Sequence, residues 1–232
     1  MSGRAAPALR AAPTGAWLLL AGLAAWIAVA LGAANVDAAA PAAFAGAWTL
    51  MMAAMMLPSL VPAGRVVADV AARTDRRLGR FAVLTFATGY LAVWLAVGLA
   101  GAGVLAAGRA AGVHLAGHAA TAGVLLAAAL YELTPAKDAC LRRCRHPLGL
   151  VVTHWRPGAL GGARIGALHG AWCAGCCWAL MAGLIALGAM SIGWMLLVAV
   201  LVTAQKLLPW ERAASWGVAG TLVALAVVEV AT

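Results

Sequence analysis

Charge is scarce in this chain. Of its 232 residues only sixteen are Lys or Arg and seven Asp or Glu, against 65% hydrophobic residues and a mean hydropathy of +0.97. A soluble domain is usually less than half apolar, so a water-soluble globule is excluded. There is no nucleotide-binding loop and no phosphorylatable aspartate motif, which removes the case for transport driven by ATP. No internal repeat of fixed period is present, and Ala and Gly are spread through every apolar run, as expected where helices approach closely through small residues. One all-α bundle is therefore expected. Cysteine is rare as well, yet three of the five fall inside the stretch HGAWCAGCCWALM at 169–181.

What is present is a series of apolar runs long enough to cross a bilayer, which takes about 17 to 25 residues. They lie at about 16–36, 42–61, 81–107, 116–134, 165–187, 190–208 and 213–230. The expectation is a polytopic transmembrane bundle of seven spans, or six, with a tail at 1–15 and one helical domain over 16–232. Arg4 and Arg10 precede the first run, whose apolar stretch is longer than the core of a signal peptide, so a retained helix is expected.

Basic residues set the orientation. Arg65, Arg73, Arg76, Arg77 and Arg80 lie between the second and third runs. Lys137, Arg142, Arg143, Arg145, Arg156 and Arg164 lie between the fourth and fifth, and Lys206 and Arg212 between the sixth and seventh. Only Arg109 falls on the other side. The N-terminus and these segments are thus expected in the cytoplasm and the C-terminus outside; the net charge of +9 is mostly this topological signal, reinforced by attraction to anionic lipid, and needs no nucleic acid as partner.

Two connections are more than turns. Residues 62–80 read as an arginine-rich loop. The longer connection, 135–164, opens with Thr134 as cap and Pro135 at the first helical position, predicting a short helix over 135–145 ended by Pro147. Cys140 and Cys144, four apart, share a face of that helix. Pro157, Gly158, Gly161 and Gly162 are then expected to break regular structure before the fifth span.

In that span, steps of about 100° place His169 at 0°, Cys173 at about 40°, Cys176 at about −20° and Cys177 at about 80°. All four lie on one side of the helix. A single buried cysteine packs like alanine, but three beside a histidine point to metal ligation. In the second span Met52, Met55 and Met56 follow helical spacing and precede Pro58, which kinks a helix. Methionine alone is usual core filling; thioether and thiolate together select Cu(I), while imidazole and thiolate leave Zn(II) open. Thiols on the cytoplasmic side stay reduced, so ligation is favoured over disulfides. His146 and His154 lie near the Cys140–Cys144 helix, and His114 and His118, four apart at the outer end of the fourth span, are a weaker pair that could serve as a metal exit site or haem ligands.

AMMLPS, TPAKDACLRRCRHP and HWRPGALGGARIGALHGAWCAGCCWALM together resemble the family of predicted metal-binding integral membrane proteins over about residues 45–210. The resemblance implies a bacterial inner-membrane protein that supplies copper to a copper-dependent enzyme such as tyrosinase. It marks Met55, Met56, Pro58, Cys140, Cys144, His154, His169, Cys173, Cys176 and Cys177. The chain departs from the family pattern at Ala136 and Ser191, where the family has Leu and Asn. Copper handling is the first expectation: capture by Cys140 and Cys144, holding by His169, Cys173, Cys176 and Cys177 with the methionines, and passage to a partner, without catalysis. The alternatives are a membrane thiol oxidoreductase working with a quinone, and a structural or assembly subunit.

Overall fold

The structure, a computed structural model of the chain, describes residues 12–34, 41–74, 78–112, 117–156, 159–188, 191–208 and 210–231. These residues form ten α-helices and no strand: α1 Ala12–Ala30, α2 Pro41–Met56, α3 Val61–Thr74, α4 Leu78–Ala110, α5 His118–Glu132, α6 Pro135–Arg145, α7 Pro147–His154, α8 Ala159–Ala186, α9 Ile192–Leu207 and α10 Glu211–Ala231. Runs rich in Ala and Leu favour helix intrinsically. The boundaries fall where proline removes a donor or glycine turns the chain, as at Gly188, whose φ of 100° suits only glycine and which closes α8.

Among the described residues three helices are long and apolar enough to cross a membrane: Phe81–Ala110, Leu160–Ala186 and Arg212–Ala231. Two further spans arise if each of two bent pairs counts as one. Ala42–Met56 meets Pro58–Arg73 at 51°, and His118–Glu132 meets Pro135–Arg145 at 68°. The apolar helices Gly15–Ala30 and Ile192–Leu207 are shorter; sixteen residues of helix reach about 24 Å, less than the hydrocarbon thickness of about 30 Å. The count supported by length and hydropathy is therefore three to five, fewer than the seven expected.

Two local expectations are corrected. The described part of 62–80 is not a loop: Val61–Thr74 is helical, with buried Ala63, Val67, Ala68 and Ala71 on one side and exposed Arg65 and Arg73 on the other, and α4 begins at Leu78. The short helix expected over 135–145 is α6, which stops at Arg145 before Pro147 as expected; Pro147 in addition begins α7. Pro157 and Gly158 lie outside the described residues, but Gly161 and Gly162 sit inside α8.

Their helical placement has a packing reason. Gly162, Gly166 and Gly170 recur every four residues along one face of α8. A Cβ there would meet the carbonyl oxygens of Ala82, Phe86 and Tyr90 at 2.3, 2.0 and 3.1 Å. The contacts ascend together in both helices, so α4 and α8 run parallel with backbones nearly touching. Bare glycine faces allow this approach, the small-residue packing of membrane helices.

At the other side of α8 the chain bends after α5. Thr134 Oγ1 accepts from the Lys137 amide and Pro135 starts α6, as the sequence predicts. Lys137, wholly buried, donates to the carboxylate of Glu132 and, at 2.8 Å, to Gln205 Oε1; the Gln205 amide closes the triangle by donating to Glu132. This buried polar strut fixes α5, α6 and α9 to one another. Arg143 lies over the Trp172 ring at 4.0 Å, and Tyr131 donates its hydroxyl to the Gly175 carbonyl, so α5 and α6 are both pinned to α8.

Candidate metal centre

Helix α8 presents His169, Cys173, Cys176 and Cys177, each no more than 3% exposed. The parallel ladder with α4 presses this stripe against Phe86 and Tyr90, while α6 covers it with Cys144. The sulfurs of Cys144, Cys173 and Cys176 all lie within 4.8 Å of one another. Cys176 Sγ is 3.8 Å from Cys144 Sγ and 3.2 Å from Cys177 Sγ, and Cys173 and Cys177 are 4.0 Å apart. All five cysteines are free thiols. Two sulfurs bound to one ion at about 2.3 Å can be no more than about 4.6 Å apart, so these spacings suit one shared metal ion. A sulfur-only set is the donor chemistry of a soft cation.

The remaining expected residues are placed at different distances from this cluster. His169 borders the cluster: its ring centroid is 5.9 Å from that of Phe86 and 6.0 Å from that of Tyr90, and its Nδ1 has no hydrogen-bond partner. Met52, Met55 and Met56 are fully buried in α2, and Met56 Sδ comes within 3.9 Å of Lys206 Nζ. Cys140 is half-buried, its sulfur resting on the bare backbone of Gly175, where a Cβ would lie 2.7 Å away. The expected pair at the mouth is thus divided, with Cys144 in the cluster and Cys140 a turn before it on α6. His154 is not brought to the site. It is exposed at the end of α7, with Nδ1 2.7 Å from Thr153 Oγ1 and 3.2 Å from the Leu150 carbonyl. His118 pairs with Glu229 at 3.0 Å on the surface, while His114 lies outside the described residues.

Two residues of the site are not apparent from the sequence. Tyr90 brings its hydroxyl 2.9 Å from Cys173 Sγ. Lys206, in the last turn of α9, sends its ammonium inward to Cys173 Sγ at 3.1 Å and Ser59 Oγ at 3.0 Å. Ser59 in turn donates to the Met56 carbonyl at 2.8 Å, in the turn where Pro58 bends the chain. A lysine within TAQKLL, flanked by apolar residues at the end of an apolar run, carries a hint of this inward role. The tyrosine carries none, because only the helix pairing puts it beside Cys173.

The centre is therefore a buried group of thiols with one imidazole, one ammonium and one phenol around it, and Met56 beside the ammonium. Among the described residues it offers sulfur donors and no carboxylate, so it suits soft metal binding far better than oxygen-loving ions. No curated protein and no solved structure matches the chain. The sequence pattern of the PpoB2 family, described as copper chaperone, matches residues 45–229, and the chain belongs to that copper chaperone family.

Proposed function

We propose that this protein is a membrane-bound carrier of Cu(I) that holds the ion on Cys144, Cys173 and Cys176 and passes it to a copper-dependent enzyme. The observation that carries the reading is the three-sulfur group within 4.8 Å, built from two helices and shielded from water. Cys177 and His169 stand at its edge as further donors, and Met52, Met55 and Met56 supply thioethers from α2. Cys140, half-buried and nearer solvent, is the thiol an incoming ion meets first. His154 has no part in this arrangement. The protein acts without catalysis, with copper as its cargo.

Its setting in this reading is a bacterial inner membrane. The arginine-bearing segments and the N-terminus face the cytoplasm and the C-terminus faces outside, with α1 and α9 completing seven crossings although both are short. Cytoplasmic thiols stay reduced, which keeps the cluster ready for metal.

Metal analysis of the purified protein tests the function. Wild type loaded with Cu(I) under reducing conditions should retain copper with sulfur-dominated X-ray absorption. The variant with Cys173, Cys176 and Cys177 all changed to Ser should retain none. Equal copper in both proteins would sink the assignment, and a preference for Zn(II) in wild type would redirect it.

A further inference from the structure

Lys206 is unusual in where it points. A lysine at the end of an apolar helix ordinarily extends its ammonium outward to the membrane interface. Here the side chain turns inward, to Cys173 Sγ at 3.1 Å, Ser59 Oγ at 3.0 Å and Met56 Sδ at 3.9 Å. Among the described residues no carboxylate pairs with it; the buried Glu132 is taken by Lys137 and Gln205. A cation in such surroundings is costly unless an anion accompanies it.

The metal site would supply that anion. One Cu⁺ held by the three cysteines, two as thiolates and the third as a neutral thiol, gives a complex of charge −1 with release of two protons, and an anion at this depth needs a compensating charge as much as the ammonium does. We infer that Lys206 is the counter-ion of the copper site, holding the anionic Cu(I)–thiolate complex in place by charge. The inference rests on the copper reading above. Ser59, held by the Met56 carbonyl in the Pro58 turn, keeps the ammonium aimed at Cys173.

A counter-ion is separable from a structural prop because some thiol ligands form neutral adducts. Phenylarsine oxide condenses with two thiols to give an uncharged dithioarsenite and one water. It needs the sulfurs to be close but gains nothing from a nearby cation. The full-length protein, purified in detergent, is titrated with Cu(I) against a competing chelator and separately with phenylarsine oxide. Wild type, Lys206→Met and Lys206→Arg are compared.

Removing a unit charge a few Å from the complex in a partly desolvated site should weaken Cu(I) binding at least tenfold in Lys206→Met. Phenylarsine oxide binding should stay within twofold in the same variant, and Lys206→Arg, which keeps the charge, should hold Cu(I) within about threefold of wild type. Loss of both ligands together in Lys206→Met would make Lys206 a structural element and overturn the proposal. Unchanged Cu(I) binding, or an arginine variant as weak as the methionine one while still taking the arsenical, would overturn it too. A wild-type protein that takes phenylarsine oxide but no Cu(I) would instead refute the copper reading itself.

Discussion

Replacing Gly166 by alanine tests the glycine ladder that sets the site. The added Cβ would stand 2.0 Å from the Phe86 carbonyl oxygen, 2.8 Å from its carbon and 3.0 Å from its Cα. Every obstacle is backbone, so no side chain can turn aside. Restoring an ordinary carbon–oxygen contact of about 3.3 Å requires α4 and α8 to separate locally by about 1.3 Å. A gap of that size forfeits much of the dispersion energy of the surrounding contacts. The expected loss is on the order of 3 kcal/mol, the upper end for overpacking. Gly103→Ala on α4 is the matched control: nothing lies within 4 Å of its added Cβ, and a helical Gly→Ala change there should gain about 0.5–1 kcal/mol. Reversible unfolding in mixed micelles reads both variants. Cu(I) affinity should fall in Gly166→Ala alone, because Cys173 lies two turns further along α8 and is tied across the same seam to Tyr90 at 2.9 Å. Equal stability of the two variants would refute the close-packed seam.

Three further outcomes are expected. Lys137→Met leaves Glu132 buried without its cation and should cost about 3–5 kcal/mol in the same unfolding assay, while adding Glu132→Leu should restore most of that loss. Met55→Leu with Met56→Leu keeps volume and apolarity, so folding should change by less than about 1.5 kcal/mol while chelator competition shows weaker Cu(I) binding and unchanged Zn(II) binding. Reporter fusions within the segment carrying Arg142, Arg143 and Arg145 should register the cytoplasm and fusions at the C-terminus the outside; the reverse would overturn the orientation and the reducing environment with it.

Much of the site is legible in local sequence because helical spacing is a local property. The stripe from His169 to Cys177 follows from 100° steps, and the start of α6 follows from Thr134 and Pro135. The rest depends on which helices meet. Gly161 and Gly162 read as breaks by solution rules, whereas inside α8 Gly162 marks the seam with α4 and Gly161 lets the Arg156 carbonyl approach. Lys206 counts as one more positive charge near a membrane surface until α8 and the Pro58 turn are found on either side of its side chain. Tyr90 belongs to the site only through the parallel pairing of α4 with α8, which no feature of α4 alone announces.

Cys144 shows how the two kinds of information combine. A single helix offers its sulfurs along one line, and Cys173 and Cys177, one turn apart, are 4.0 Å from each other on α8. Cys176 adds a third sulfur from the same helix, but one that faces α8 has to come from another element, and Cys144 reaches Cys176 at 3.8 Å only because the chain turns by 68° between α5 and α6. The turn begins where Thr134 and Pro135 stop one helix and start the next, and it is held by Lys137 bridging Glu132 to Gln205. Gln205 is the neighbour of Lys206, so the strut that fixes Cys144 through α6 also fixes the ammonium through α9. A proline, a buried acid and a buried lysine that look like punctuation and stray charge in the sequence are thus part of what brings the thiols and their cation together.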